Sequence, residues 1–163
     1  MKGHAFTTAL FVVMLAVSSV SGADEKDKQT KEKSKLDGIK CLFCKMQVKE
    51  DVFVEYKGAK VFLGCEGCLG AFKKDIKKVA TKANAQLVAT KQAKQKACPI
   101  SGRPCKAEFK LTVGKAQVAF CCPNCQKAAS QLKDDAQLEK LFSEEVFKKA
   151  FQVAKRENKK EQT

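Results

Sequence analysis

The sequence predicts an α+β protein of two small tandem modules, each a cysteine knuckle plus a β-hairpin followed by an α-helix. Three observations point there. Cys41, Cys44, Cys65 and Cys68 fall on Cys98, Ser101, Cys122 and Cys125 when the numbering is shifted by 57. The apolar segment between the cysteine pairs repeats with the same shift, 52–63 onto 109–120, each copy carrying Gly and Lys in a central turn. Behind each second pair, apolar residues recur at three- and four-residue intervals, the period of a helix that buries one face. A fixed offset of this kind marks the duplication of one unit.

The elements follow in order. Lys2, the apolar run from Ala9 to Val20 and the small residues Ser21, Gly22 and Ala23 read as a signal peptide over residues 1–22, cleaved near Gly22 or Ala23. That run is shorter than the ~20 apolar residues a spanning helix needs, so no transmembrane segment is expected in the mature chain. Residues 23–38 are a charged leader whose composition predicts disorder. The first cysteine module with its linker helix covers 39–95. Val52, Val54 and Tyr56, then Val61 and Leu63, alternate across Lys57-Gly58-Ala59 as a hairpin. Leu69, Phe72, Ile76, Val79, Ala80, Ala83, Leu87 and Val88 then predict an amphipathic helix from about Glu66 to about Lys94, with a weak middle around Asn84.

The second module, with the C-terminal helices, covers 96–154 and turns its hairpin at Gly114-Lys115. Asp134 and Asp135 are expected to cap a fresh helix. Its stripe of Leu138, Leu141, Phe142, Val146, Phe147, Ala150 and Phe151 is expected to pack into the core. Residues 155–163 are a polar tail.

The composition excludes several functions. His4 is the sole histidine and lies in the signal peptide, so the mature chain has no imidazole for ligation or for a triad. Lys and Arg number 32 against 18 Asp and Glu, a formal charge of +14. Export argues against nucleic acid as the partner of that charge. A solvated basic surface, attracted to an anionic envelope surface, is the expectation. A mature chain of about 140 residues split into two modules buries little apolar surface per module, and such modules need staples. Nine cysteines supply them as disulfides or as metal ligands.

Cys41-x2-Cys44, twenty residues, then Cys65-x2-Cys68 is the spacing of a two-knuckle site in which the hairpin brings two gripping pairs together. Four thiolates around Zn(II) leave a formal charge of −2, which Lys40, Lys45 and Lys49 lie close enough in sequence to soften. Two disulfides, or one reactive pair in the manner of a thiol oxidoreductase, are the alternatives. The second set departs at Ser101, while Cys105 and Cys121 stand where the first module has Val48 and Gly64. Cys98, Cys122 and Cys125 keep the aligned positions, with Cys105 expected to swing in as the fourth ligand and Cys121 left spare or transiently coordinating. A three-thiolate site with a loose fourth position suits Cu(I) or an exchangeable metal, whereas the complete first set is expected to hold Zn(II) structurally. A Cys105 to Cys121 disulfide is the competing arrangement. Met46 reads as a core or turn residue, with a thioether for copper as the alternative. Phe72 reads as the plug beneath the first site, with Ala129 at the same place in the second.

The stretch Val118-Ala119-Phe120-Cys121-Cys122-Pro123-Asn124-Cys125, preceded by Cys98-Pro99-Ile100-Ser101-Gly102, resembles the YHS and TRASH group of small heavy-metal-binding domains. The first module, a Cys-x2-Cys knuckle, a hairpin and Cys-x2-Cys-x3-Phe, resembles the related pattern. The resemblance implies treble-clef or zinc-ribbon-type folds and a role in metal trafficking, resistance or sensing. It also implies that Cys41, Cys44, Cys65, Cys68, Cys98, Cys122 and Cys125 occupy metal-binding positions, with Ser101 breaking the pattern. The expected protein is secreted or periplasmic and non-enzymatic. It buffers metal ions or exchanges them with a metal-trafficking protein. A periplasmic thiol-disulfide protein and an envelope scaffold stapled by metal or disulfides are the alternatives.

Overall fold

The computed structural model describes residues 35–154. The expected signal peptide, most of the leader and the polar tail lie outside the described residues. Eleven elements follow in the order β1 (Phe53–Tyr56), β2 (Ala59–Phe62), α1 (Glu66–Lys74), α2 (Ile76–Ala89), β3 (Ala93–Gln95), β4 (Lys106–Val113), β5 (Ala116–Phe120), α3 (Pro123–Ser130), α4 (Asp134–Phe142), α5 (Glu144–Ala150) and β6 (Phe151–Val153). The class is α+β, with three two-stranded antiparallel sheets, β1-β2, β4-β5 and β3-β6. Among the described residues no helix is long and apolar enough to cross a membrane.

The first hairpin closes on Lys57 and Gly58, both with positive φ (54° and 77°), between the paired Tyr56 and Ala59. Two left-handed residues in a two-residue loop match the strand twist. The second closes on Gly114 and Lys115 between Val113 and Ala116, with φ of 60° at Gly114. Its register slips between Lys106 and Lys110, so β4 carries extra residues opposite the end of β5.

The single long helix expected behind the first hairpin is two helices. Asp75 (φ −143°, ψ 65°) leaves helical geometry and its carboxylate accepts from the Lys78 amide at 3.3 Å, capping α2. The helix stops at Ala89 rather than continuing to Lys94, because Lys91 takes φ 59°. The Lys91 amide then donates to Val88 O (3.0 Å) and the Gln92 amide to Leu87 O (2.9 Å). This is the Schellman termination with lysine in the place that glycine usually takes. The chain beyond it is freed to form β3, which pairs with β6, so Phe151 closes the C-terminal stripe from a strand and not from a helix. Nor is Asn84 a weak point. It is fully buried in α2, donating to Phe142 O (2.9 Å) and accepting from Lys57 Nζ (2.9 Å).

Three glutamines hold the hairpins to the linker. The Gln86 side chain accepts from the Phe62 amide (2.7 Å) and donates to the Phe62 carbonyl (2.8 Å). Gln92 makes the same pair with Lys60, and Gln95 with Ala119. Each amide acts as one rung of a missing strand, satisfying the open edge of β2 or β5. Phe62 and Ala119 are themselves 57 residues apart.

One buried cluster runs through both halves of the chain: Val61, Leu63 and Phe72, then Leu87, Val118 and Phe120, then Leu141, Phe142, Phe147 and Phe151. The C-terminal stripe is in this core, with Phe151 against Phe142 and Phe147 at ring-centre distances of 5.7 and 5.4 Å. Phe72 is buried and meets Tyr56 edge-on at 5.7 Å. Leu36, which composition assigns to the leader, is buried, and Gln47 Nε2 donates to its carbonyl. Asp134 and Asp135 fill the first turn of α4, where negative charge is favourable, without a side-chain capping bond.

Candidate metal centres

The first cysteine pair lies in a tight knuckle. The Cys41 amide donates to Met46 O (2.7 Å), Lys40 and Gln47 form an antiparallel bridge, and Lys45 takes φ 58° to complete the turn. The second pair opens a helix: Cys65 is the N-cap of α1 and Cys68 sits one turn inside. The hairpin returns the chain to the knuckle, with the Lys49 amide donating to Leu63 O at 2.9 Å. The sulfurs of Cys41, Cys44 and Cys68 consequently lie within 4.8 Å of one another, and Cys65 Sγ is 3.1 Å from Cys68 Sγ. Cys41 and Cys68 are buried, whereas Cys44 is exposed.

The same scaffold recurs around the later cysteines. The Cys98 amide donates to Arg103 O (2.8 Å), Gly102 takes the left-handed place of Lys45 (φ 72°), and Cys122 caps α3 with the backbone angles of Cys65. The sulfurs, however, are arranged differently. Cys98, Cys121 and Cys125 form the group within 4.8 Å, and Cys121 Sγ is 3.7 Å from both Cys122 Sγ and Cys125 Sγ. Cys105, expected as the fourth ligand, is engaged elsewhere. Its sulfur donates to Ala119 O (3.4 Å) and accepts from Gln95 Nε2 (3.3 Å).

Cys121 comes forward for a reason visible in the first centre. A Cβ added to Gly64 would stand 3.0 Å from Cys44 Sγ, so a side chain at that position points at the sulfur of the second knuckle cysteine. Shifted by 57, Gly64 is Cys121 and Cys44 is Ser101. Ser101 Oγ and Cys121 Sγ share a hydrogen bond at 3.1 Å. The sulfur missing from the knuckle is supplied from the end of the hairpin. The signal was present in the sequence as two coincident exchanges, but only their proximity in space makes them one.

Thiol acidity differs within each centre. Burial alone would raise Cys41, but backbone N–H groups of Phe43, Cys44 and Gly64 outweigh it and bring the thiol down to about 7. Hydrogen bonds from the Cys68 side chain and backbone lower Cys65, and the reciprocal bond with burial raises Cys68. In the second centre the Ser101 hydroxyl lowers Cys121, the Cys125 amide lowers Cys122, and burial pushes Cys125 up to about 12. Burial, then charge at Cys98 and Cys121, raises Cys105. The cation at this centre is Arg103, which sequence spacing did not single out. Its Nη2 lies 4.0 Å from Cys122 Sγ.

The donor set fits a soft or borderline ion. Four sulfurs at the 2.3 Å typical of zinc would stand about 3.8 Å apart at the corners of a tetrahedron. The 3.7 Å separations at Cys121 match that edge, and three first-centre sulfurs lie within 4.8 Å of one another; Cys65 and Cys122 fall outside the two mutual groups, each close to one member, Cys68 and Cys121. The chain matches no family model, no curated protein and no solved structure.

Proposed function

We propose that this chain is an exported metal-binding protein that buffers or transfers Zn(II), and Zn(II) or Cu(I) at the second centre, through cysteine thiolates. The observation that carries the proposal is the gathering, twice, of three cysteine sulfurs within 4.8 Å, two from the knuckle and one from the helix start in the first centre, and one each from the knuckle, the hairpin end and the helix start in the second. In this proposal the protein is a tandem pair of YHS- or TRASH-like modules, and its ligands are Cys41, Cys44, Cys65 and Cys68, then Cys98, Cys121, Cys122 and Cys125. The protein catalyses no reaction. Its partners are metal ions and a metal-trafficking protein, and its basic surface favours the anionic envelope.

Intact mass of the exported protein under native and denaturing conditions, with thiol counting, tests this. Two bound metal ions with the thiols reduced are expected, and chelation should lower the melting temperature because metal binding contributes folding free energy. Metal-free protein holding four disulfides would overturn it.

One observation favours a second reading, thiol-disulfide exchange. Cys65 and Cys122 each cap a helix and are shifted toward thiolate, while their partners Cys68 and Cys125 are raised, the polarity of a reactive pair. In that case the mass would report reversible loss of two hydrogens at one pair and no metal.

A further inference from the structure

We infer that the two centres divide the work in the reverse of the roles expected from the sequence, with the first being the exchangeable one, opened from the side of Cys44, and the second the retained one. This rests on the metal-binding proposal. The sulfurs are unequally accessible. Cys44 is exposed at the tip of its knuckle, beside Met46, which is 52% exposed. In the second centre Cys98, Cys121 and Cys125 are all buried and Cys122 is half-buried. The swap of Cys44 for Cys121 produces this difference, since it moves the fourth sulfur from the knuckle tip to the protected end of β5.

The second centre is also better compensated. Ser101 Oγ bonds Cys121 Sγ at 3.1 Å and Arg103 approaches Cys122 Sγ at 4.0 Å, so a hydroxyl and a guanidinium offset thiolate charge there. Cys44 has no such side-chain cation among its hydrogen-bond partners in the described residues. The first knuckle instead presents exposed Lys40, Lys45 and Lys49, with exposed Asp37, Glu50 and Asp51 flanking them in sequence. The matching partner is a thiolate-bearing acceptor that reaches the exposed Cys44. An incoming thiolate forms a metal–sulfur bond as the bond to Cys44 breaks. Cys44 leaves as a thiolate and takes a proton from water, and no electrons are transferred.

The test loads the full chain with Zn(II), confirms two equivalents, and adds meso-2,3-dimercaptosuccinate, an acidic dithiol. Pulses of iodoacetamide are mapped by peptide mass. Cys44 should be alkylated first among the metal ligands. One zinc should leave at least about tenfold faster than the other, with Cys41, Cys65 and Cys68 becoming reactive in step, since exposure governs thiol access. Cys105 serves as the free-thiol reference, reacting without metal loss. Arg103→Gln should speed release of the second zinc and leave the first phase unchanged. Equal release from both centres, or earlier alkylation of Cys122, would overturn the inference while leaving metal binding intact. Failure to load zinc would instead overturn the functional proposal itself.

Discussion

At the scale of single residues, the pairing of Gly64 with Cys44 and of Cys121 with Ser101 makes an engineering prediction. Cys44→Ser should weaken the first centre by well over about tenfold, since even removing an outer partner of a ligand commonly costs that much. Gly64→Cys alone should destabilise the protein by about 1–3 kcal/mol, the usual cost of overpacking, because its Cβ would meet Cys44 Sγ at 3.0 Å and Cys41 Cβ at 3.2 Å. The double variant places a sulfur where the second centre has one and should recover most of the lost affinity. Competitive zinc titration of the three variants reads this out, and a double variant no better than Cys44→Ser would refute the swap. Spacing made the convergence of Cys41, Cys44 and Cys68, and of Cys98 with Cys125, legible because knuckle and helix-start pairs are local in sequence. The choice between Cys105 and Cys121 was not legible. It depends on which side chain faces the knuckle across the hairpin, and Cys105 is instead held by Gln95 and Ala119.

At the scale of elements, the hairpin turns were readable from Lys57-Gly58 and Gly114-Lys115 because those turns need left-handed or glycine backbone. The end of α2 was not, since Lys91 performs the glycine's part and apolar periodicity runs on past it. The glutamine contacts were also invisible. Gln86 follows a helical period like its neighbours, and nothing local announces that its amide reaches Phe62. These contacts carry the next prediction. Gln86→Leu leaves the amide and carbonyl of Phe62 without partners beside a 4% exposed position. The expected loss is about 2 kcal/mol, the cost of leaving buried polar groups unsatisfied. Gln86→Glu can accept but not donate and should lose a comparable amount at neutral pH. Urea denaturation of both variants measures it, and an unchanged midpoint for Gln86→Leu would mean that water replaces the amide at no cost.

At the scale of the whole molecule, the first hairpin is tied to the C-terminal half through Glu144. Its carboxylate accepts from Tyr56 Oη (2.6 Å), Lys57 Nζ (2.7 Å) and Asn84 Nδ2 (3.1 Å). Lys57 Nζ also lies over the rings of Tyr56 and Phe147. Partial burial would raise the Glu144 carboxyl, but the Lys57, Tyr56 and Asn84 donors outweigh it and hold the group below the usual carboxylate range. A carboxylate more acidic in the folded state contributes stability that is present above its unfolded value of about 4.3 and is lost as pH falls through the lower folded value. The Glu144 side chain is 41% exposed, so solvent screening limits the contribution to about 1 kcal/mol. Glu144→Gln keeps an acceptor and removes the charge. It should therefore be less stable than the parent at pH 7, and the gap should close in acid once Glu144 is itself protonated. Because one core cluster and the β3-β6 pair join the halves, the loss should appear as a shift of a single unfolding transition and not as early melting of the first hairpin alone. Denaturation followed at pH 7 and at acid pH checks both points. A gap that persists after protonation would show that the shape of the side chain, not its charge, holds the hairpin to the C-terminal helix.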